Sequence, residues 1–224
     1  ELRLQSEAKL KSRYHAADVN TSGAKSIALS GGSLKRKVDI VPSSWHDTHD
    51  YQRSKFEHFR AVNIYDKDNH ALIENKPFLH IKKVNDRDTQ YGGNLKKVTR
   101  LMKNIIADMP DYKKSKAKKL TSYDIAAIAY SMNERLSCSQ YLPLTLLDNL
   151  RSYLLIISYL DDERNALIVP DESRKIFNAE EKVEALRILY NEVNDLAEAV
   201  QKAINPLKDK YDGNVLRNRQ VVFF

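Results

Sequence analysis

A chain of 224 residues, 42% hydrophobic and 30% charged, can bury one sizeable core or two small ones and has the composition of a globular rather than a disordered protein. The longest apolar run, residues 153–160, is far too short to cross a bilayer, so no membrane partner is expected. The formal net charge of +7 points instead to an anionic partner such as a nucleotide, a nucleic acid or phosphate.

Cys138 is the only cysteine, which excludes an internal disulfide and a cysteine-based zinc site and fits a reducing, cytoplasmic setting. The chain opens at Glu1 without an initiator methionine or an apolar leader. That opening reads as the edge of a fragment, a processed form or an ordered region.

In chain order, residues 2–17 read as a helix carrying Leu4, Ala8 and Leu10, broken at 20–23. Residues 26–29 and 37–41 are strand patterns around the Gly31-Gly32-Ser33 turn, a hairpin whose second strand stops at Pro42. Residues 58–65 alternate as a strand, 66–69 carry a turn signal, and 78–81 read as a short strand. From Asn94 the period becomes helical, with Leu95, Val98, Met102, Ile105, Ile106 and Met109 recurring until Pro110 ends the run. Lys113, Lys114, Lys116, Lys118 and Lys119 then fall between two helical patterns, as a solvated loop or as a rim that attracts anions. Thr121 is the expected N-cap of the next helix, with Asp124 three residues on in capping-box position. Further helices are expected over 143–160 and 179–204. The fold class is therefore α+β: a β-rich front over residues 1–92 and a helical domain over 93–224, with a cleft between them.

Three places carry candidate chemistry. Asp39 interrupts the apolar strand Lys37-Val38-Asp39-Ile40-Val41-Pro42; it is either a strand-borne metal ligand or a carboxylate on the solvent face of an edge strand. Lys96, Arg100 and Lys103 form an i, i+4, i+7 stripe, which is either a solvated face or a means of aiming Lys103 at a triphosphate. Thr121, Ser122 and Tyr123 open a helix, where unpaired N–H groups suit a phosphate and a tyrosine ring can stack on a base. Capping and core packing would account for the same residues.

Taken in order, these segments resemble the polymerase-β-superfamily nucleotidyltransferases, in the branch of cyclic-oligonucleotide and oligoadenylate synthases. Residues 37–42 resemble the strand with the third catalytic carboxylate, 94–103 the helix entering the helical lobe, and 120–130 the nucleotide-facing helix. The resemblance implies that Asp39 is catalytic and binds metal, and that Lys103, Ser122 and Tyr123 bind the nucleotide. It also implies two magnesium ions, nucleoside triphosphates as substrates, and a cyclic or linear signalling oligonucleotide as product, of the kind used in antiviral defence. Nucleic acid or a regulatory protein would be a further partner. The family's Gly-Ser helix start and Asp-x-Asp strand are absent here, so the chain is expected to be the later part of such an enzyme and inactive alone. The alternative functions are a nucleic-acid-binding module or a helical interaction module without catalysis, the latter offering Val183, Leu186, Leu189, Tyr190, Val193, Leu196 and Val200 as its face.

Overall fold

The computed structural model describes residues 1–15 and 18–221. It divides into two compact units, Glu1–Ile81 and Lys82–Phe224.

The first unit opens with α1 (Leu2–Arg13). Residues 16 and 17 of the expected helix lie outside the described residues. The inward face of α1 differs from the apolar one read from the sequence: Leu4 and Ala8 are exposed, and Arg3 is its one buried residue, 5% accessible. Its guanidinium bonds Glu7 at 2.7 Å and donates to the carbonyls of Gly23 at 2.9 Å and Ser26 at 3.1 Å. A cation that satisfies loop carbonyls can be buried where an apolar side chain would leave them unpaired.

Two antiparallel three-stranded sheets follow. β1 (Val19–Asn20), β2 (Ile27–Leu29) and β3 (Val38–Ile40) form the first, in that order. The expected hairpin is present, with Ile27 opposite Ile40, Ala28 opposite Asp39 and Leu29 opposite Val38. Val19, Ile27 and Leu29 are its buried core, with Leu10 and Ile40 packed against them. β4 (Ser43–His46), β5 (Ala61–Asp66) and β6 (Ala71–Asn75) form the second sheet, with α2 (His49–Ser54) between β4 and β5. Asp66 closes the β5–β6 turn by accepting from the backbone N–H groups of Asp68 and Asn69, so the turn signal at 66–69 holds.

Residues 78–81 are not a strand. They lie within α3 (Pro77–Gln90), which starts on a proline already set for the first helical turn. The apolar pattern there is helical, and it extends to Val84, which packs on the core of the second unit.

That core is built by α4 (Asn94–Asp108), α5 (Asp111–Ala117), α6 (Ser122–Ser131), α7 (Leu144–Tyr159), α8 (Asp161–Ala166), α9 (Glu180–Ile204) and α10 (Gly213–Arg217). Leu95, Val98, Met102 and Ile106 of α4 are buried, as the helical spacing requires, and α4 packs on α6, α7 and α9. In α9, Val183, Leu186, Leu189 and Val193 are buried in the same core, while Tyr190, Leu196 and Val200 are partly buried against it. This apolar stripe serves the chain's own packing.

The lysine-rich stretch is a correction to the expected loop: most of it is α5, laid along α9. Lys113 pairs with Glu192 at 2.6 Å, Lys116 with Glu184 at 2.8 Å and Lys119 with Glu181 at 2.7 Å, an antiparallel ladder of charges. Exposed pairs of this kind contribute at most about 1 kcal/mol each. They nevertheless neutralise much of what would otherwise be an anion-attracting rim.

A second contact holds the end of the described chain. Asp148 of α7, buried, accepts from Tyr211 Oη at 2.7 Å and Arg217 Nε at 2.5 Å. Asp148→Ala leaves the tyrosine hydroxyl and the partly exposed guanidinium without their acceptor, and the expected loss is about 2 kcal/mol, read as a lowered urea midpoint with an unchanged slope.

Candidate nucleotide-binding site

The start of α6 forms because Thr121 adopts an extended conformation and closes a reciprocal cap. Its Oγ1 accepts from Asp124 N at 3.2 Å, and Asp124 Oδ2 accepts from Thr121 N at 3.0 Å. The expected capping box is thus present. The first helical hydrogen bond runs from Ile125 N to Thr121 O, so Ser122 and Tyr123 open the helix with N–H groups that have no carbonyl within it.

Asp124 does more than cap. It is fully buried, with Arg174 at 2.7 Å and Lys182 at 3.1 Å from its carboxylate. Burial alone would raise its pKa, but hydrogen bonds from Thr121 and Arg174 outweigh that and hold it below the ordinary aspartate range. Lys182 also donates to the Ile176 carbonyl at 3.1 Å. One carboxylate therefore joins α6, the segment 171–176 and the first turn of α9.

Tyr123 is half-buried, and its hydroxyl donates to Asp171 Oδ2 at 2.6 Å. Asp171 is itself buried and held through Oδ1 by Ser173 N at 3.2 Å and Ser173 Oγ at 2.9 Å. Burial, followed by the Asp171 carboxylate, pushes the Tyr123 phenol well above its usual value, so it remains a neutral donor. Arg174, which pairs with Asp124, lies 5.7 Å from the Tyr123 ring centroid. The ring is held at its polar end and packs against the core of the helical unit.

Ser122 is exposed beside this anchored ring, and Lys103 is exposed on α4, the helix that packs on α6. Among the rest of the cationic stripe, Lys96 pairs with Asp88 at 3.4 Å. In the first unit, Asp39 lies on β3, the edge strand, with its side chain 56% exposed and Lys37 at 3.5 Å. It faces away from the small core. No group of three or more His, Cys, Asp or Glu side chains able to hold a metal occurs among the described residues, at Asp39 or elsewhere. Asp171, Arg174 and Lys182 escaped the sequence reading, because nothing local links them to a helix start about fifty residues earlier; the Pro170-Asp171 turn was the only signal.

The helical unit also matches the model of the cGAS/DncV-like nucleotidyltransferase C-terminal helical domain over residues 82–205. The chain belongs to that family. A cyclic dinucleotide synthase, CdnE, from Yersinia aleksiciae is 36% identical over 226 residues, covering 99% of this chain and 59% of that protein. A c-di-GMP synthase from a Lachnospiraceae bacterium is 36% identical over 134 residues, covering 58% of this chain and 36% of that one. Among solved structures, the CdnE c-di-GMP synthase of Capnocytophaga granulosa superposes with a TM-score of 0.73 at 30% identity, covering 90% of this chain and 63% of that chain. The α+β fold of this cGAS/DncV-like chain is similar to that structure. The chain spans about 59% of the length of the Yersinia relative. Among the described residues, no helix is long and apolar enough to cross a membrane.

Asp124→Ala leaves Arg174 and Lys182 without their shared counter-charge, and the expected cost is about 3 kcal/mol in chemical denaturation. In the intact chain the folded pKa of Asp124 is depressed, so its contribution is complete above the unfolded value of about 4 and is lost as pH falls below it. Urea midpoints measured from pH 6 down to pH 2 should therefore drop more steeply in the wild type than in Asp124→Ala.

Proposed function

We propose that the protein carrying this chain transfers a nucleotidyl group from a nucleoside triphosphate to a hydroxyl and closes a cyclic dinucleotide, with GTP among its substrates. The observation that carries this reading is Tyr123, held through its hydroxyl by a buried aspartate at the opening of a helix, beside an exposed serine, within the region matched to the family. The relatives, a cyclic dinucleotide synthase and a c-di-GMP synthase, support it.

In this reading Tyr123 stacks on a nucleobase, while Ser122 and the first N–H groups of α6 bind phosphate oxygens. Lys103 adds a cation to the triphosphate. Fixing the donor in this way lowers the entropic part of the barrier, and the positive groups offset charge on the leaving pyrophosphate. Asp39 is the catalytic carboxylate and contributes one ligand to magnesium, the ion that would polarise the transferring phosphoryl group. One carboxylate does not make a two-ion site, so we infer that the 224-residue chain binds nucleotide without turning it over.

Given magnesium and GTP, the full-length protein should release pyrophosphate and form a cyclic product, and Asp39→Asn should abolish both. Undiminished turnover in that variant removes Asp39 from the mechanism. For the chain itself, titration calorimetry with a non-hydrolysable triphosphate should show binding weakened roughly tenfold by Tyr123→Ala, the scale of one lost base stack. Lys103→Ala should weaken it to a similar degree. Equal affinity in all three proteins rejects the site.

A further inference from the structure

Two cavities in the second unit meet at a common set of polar side chains. The larger, of about 500 Å³, is walled by Val98 and Leu101 of α4, Leu144 and Leu147 of α7, and Leu196 and Val200 of α9. The smaller, of about 310 Å³, is lined by Gln90, Tyr91, Gly92 and Ser137. Asn94, Lys97, Cys138 and Gln140 border both. Neither cavity is lined by Lys103, Ser122 or Tyr123, so the pair is separate from the candidate nucleotide site.

The junction is built. Asn94 is buried and donates to Leu136 O at 2.9 Å and to Cys138 Sγ at 3.4 Å. Its remaining polar atom, Oδ1, accepts from Lys97 Nζ at 3.1 Å and so fixes the ammonium at the boundary between the chambers. Among the described residues Lys97 has this one neutral acceptor and no carboxylate partner, unlike the lysines of α5. An ammonium held at the mouth of an apolar cavity, with donors unused, is complementary to an anionic head that carries an apolar tail.

We propose that these chambers bind an anionic amphiphile, a medium-chain fatty acid whose carboxylate meets Lys97 and whose alkyl chain fills the apolar cavity. The larger chamber lies within the roughly 300–1,000 Å³ range of ligand pockets, and each methylene moved into it leaves water. The polar chamber keeps the head hydrated or hydrogen-bonded. The proposal is independent of the nucleotidyltransferase reading.

Cys138 borders the junction and is the only cysteine, so its rate of reaction with a thiol reagent reports occupancy. Decanoate should slow that reaction at least fivefold at saturation, with the far-ultraviolet circular dichroism unchanged. Decanol, which has the same tail without the charge, should need roughly tenfold higher concentration, the effect of one charge-assisted hydrogen bond. Lys97→Ala, an exposed position, should bring decanoate to the level of decanol. No slowing by decanoate, equal potency of the two compounds on the wild type, or wild-type potency in Lys97→Ala each overturns the proposal.

Discussion

The Asp124 carboxylate is the constraint on which the start of α6, and with it the proposed nucleotide site, depends. A fully buried charge is tolerated only when its partners replace water, and here a threonine cap, an arginine and a lysine do so from three separate parts of the chain. Removing either cation leaves the buried carboxylate short of a counter-charge. The start of α6, the segment after Pro170 and the first turn of α9 are therefore held as one piece, and the same Arg174 that neutralises Asp124 lies near the ring of Tyr123.

From this follows the way Tyr123 is held. Its hydroxyl has a buried acceptor, Asp171, which is fixed in turn by Ser173, next to the Arg174 that Asp124 needs. Two aspartates on two elements thus cross-link the same pair of segments, one by charge and one by a neutral phenol. The phenol must stay protonated for this to work, and burial ensures that it does. A ring pinned at its polar tip has little rotamer freedom left to lose, which would favour the base stacking proposed for it.

What was legible in the sequence was what is decided locally. The Thr121–Asp124 cap, the stripe of α4 and the hairpin around Gly31-Gly32 depend on residues a few positions apart, and the structure places them as expected. The readings that failed were decided at a distance. Leu4 and Ala8 look like the buried face of α1, yet Arg3 takes that place because loop carbonyls twenty residues away need donors. The α5 lysines look like a loop because their partners are the glutamates of α9, nearly seventy or more residues on for Lys113 and Lys116. Phe78 and Ile81 were too few to show a helical period until Val84 is counted with them. Likewise the candidate site could be read as Ser122 and Tyr123, but not as the Asp171 that holds Tyr123 or the Arg174 that pairs with Asp124.

The same reasoning explains why Asp39 faces solvent. Strand side chains alternate, and Ile40 is committed to the small core opposite Ile27, so Asp39 must point to the other face beside Ala28. A slip of one residue would drive the carboxylate into Val19, Ile27 and Leu29 and bring Ile40 out. That register is set by the turn, where Gly31 and Gly32 both have positive φ, 88° and 57°, and where a side chain at Gly31 would collide with Asp18. The Gly-Gly pair therefore bears on the proposed chemistry without touching a substrate: it keeps the one carboxylate of the strand on the face where a nucleotide or a metal could reach it.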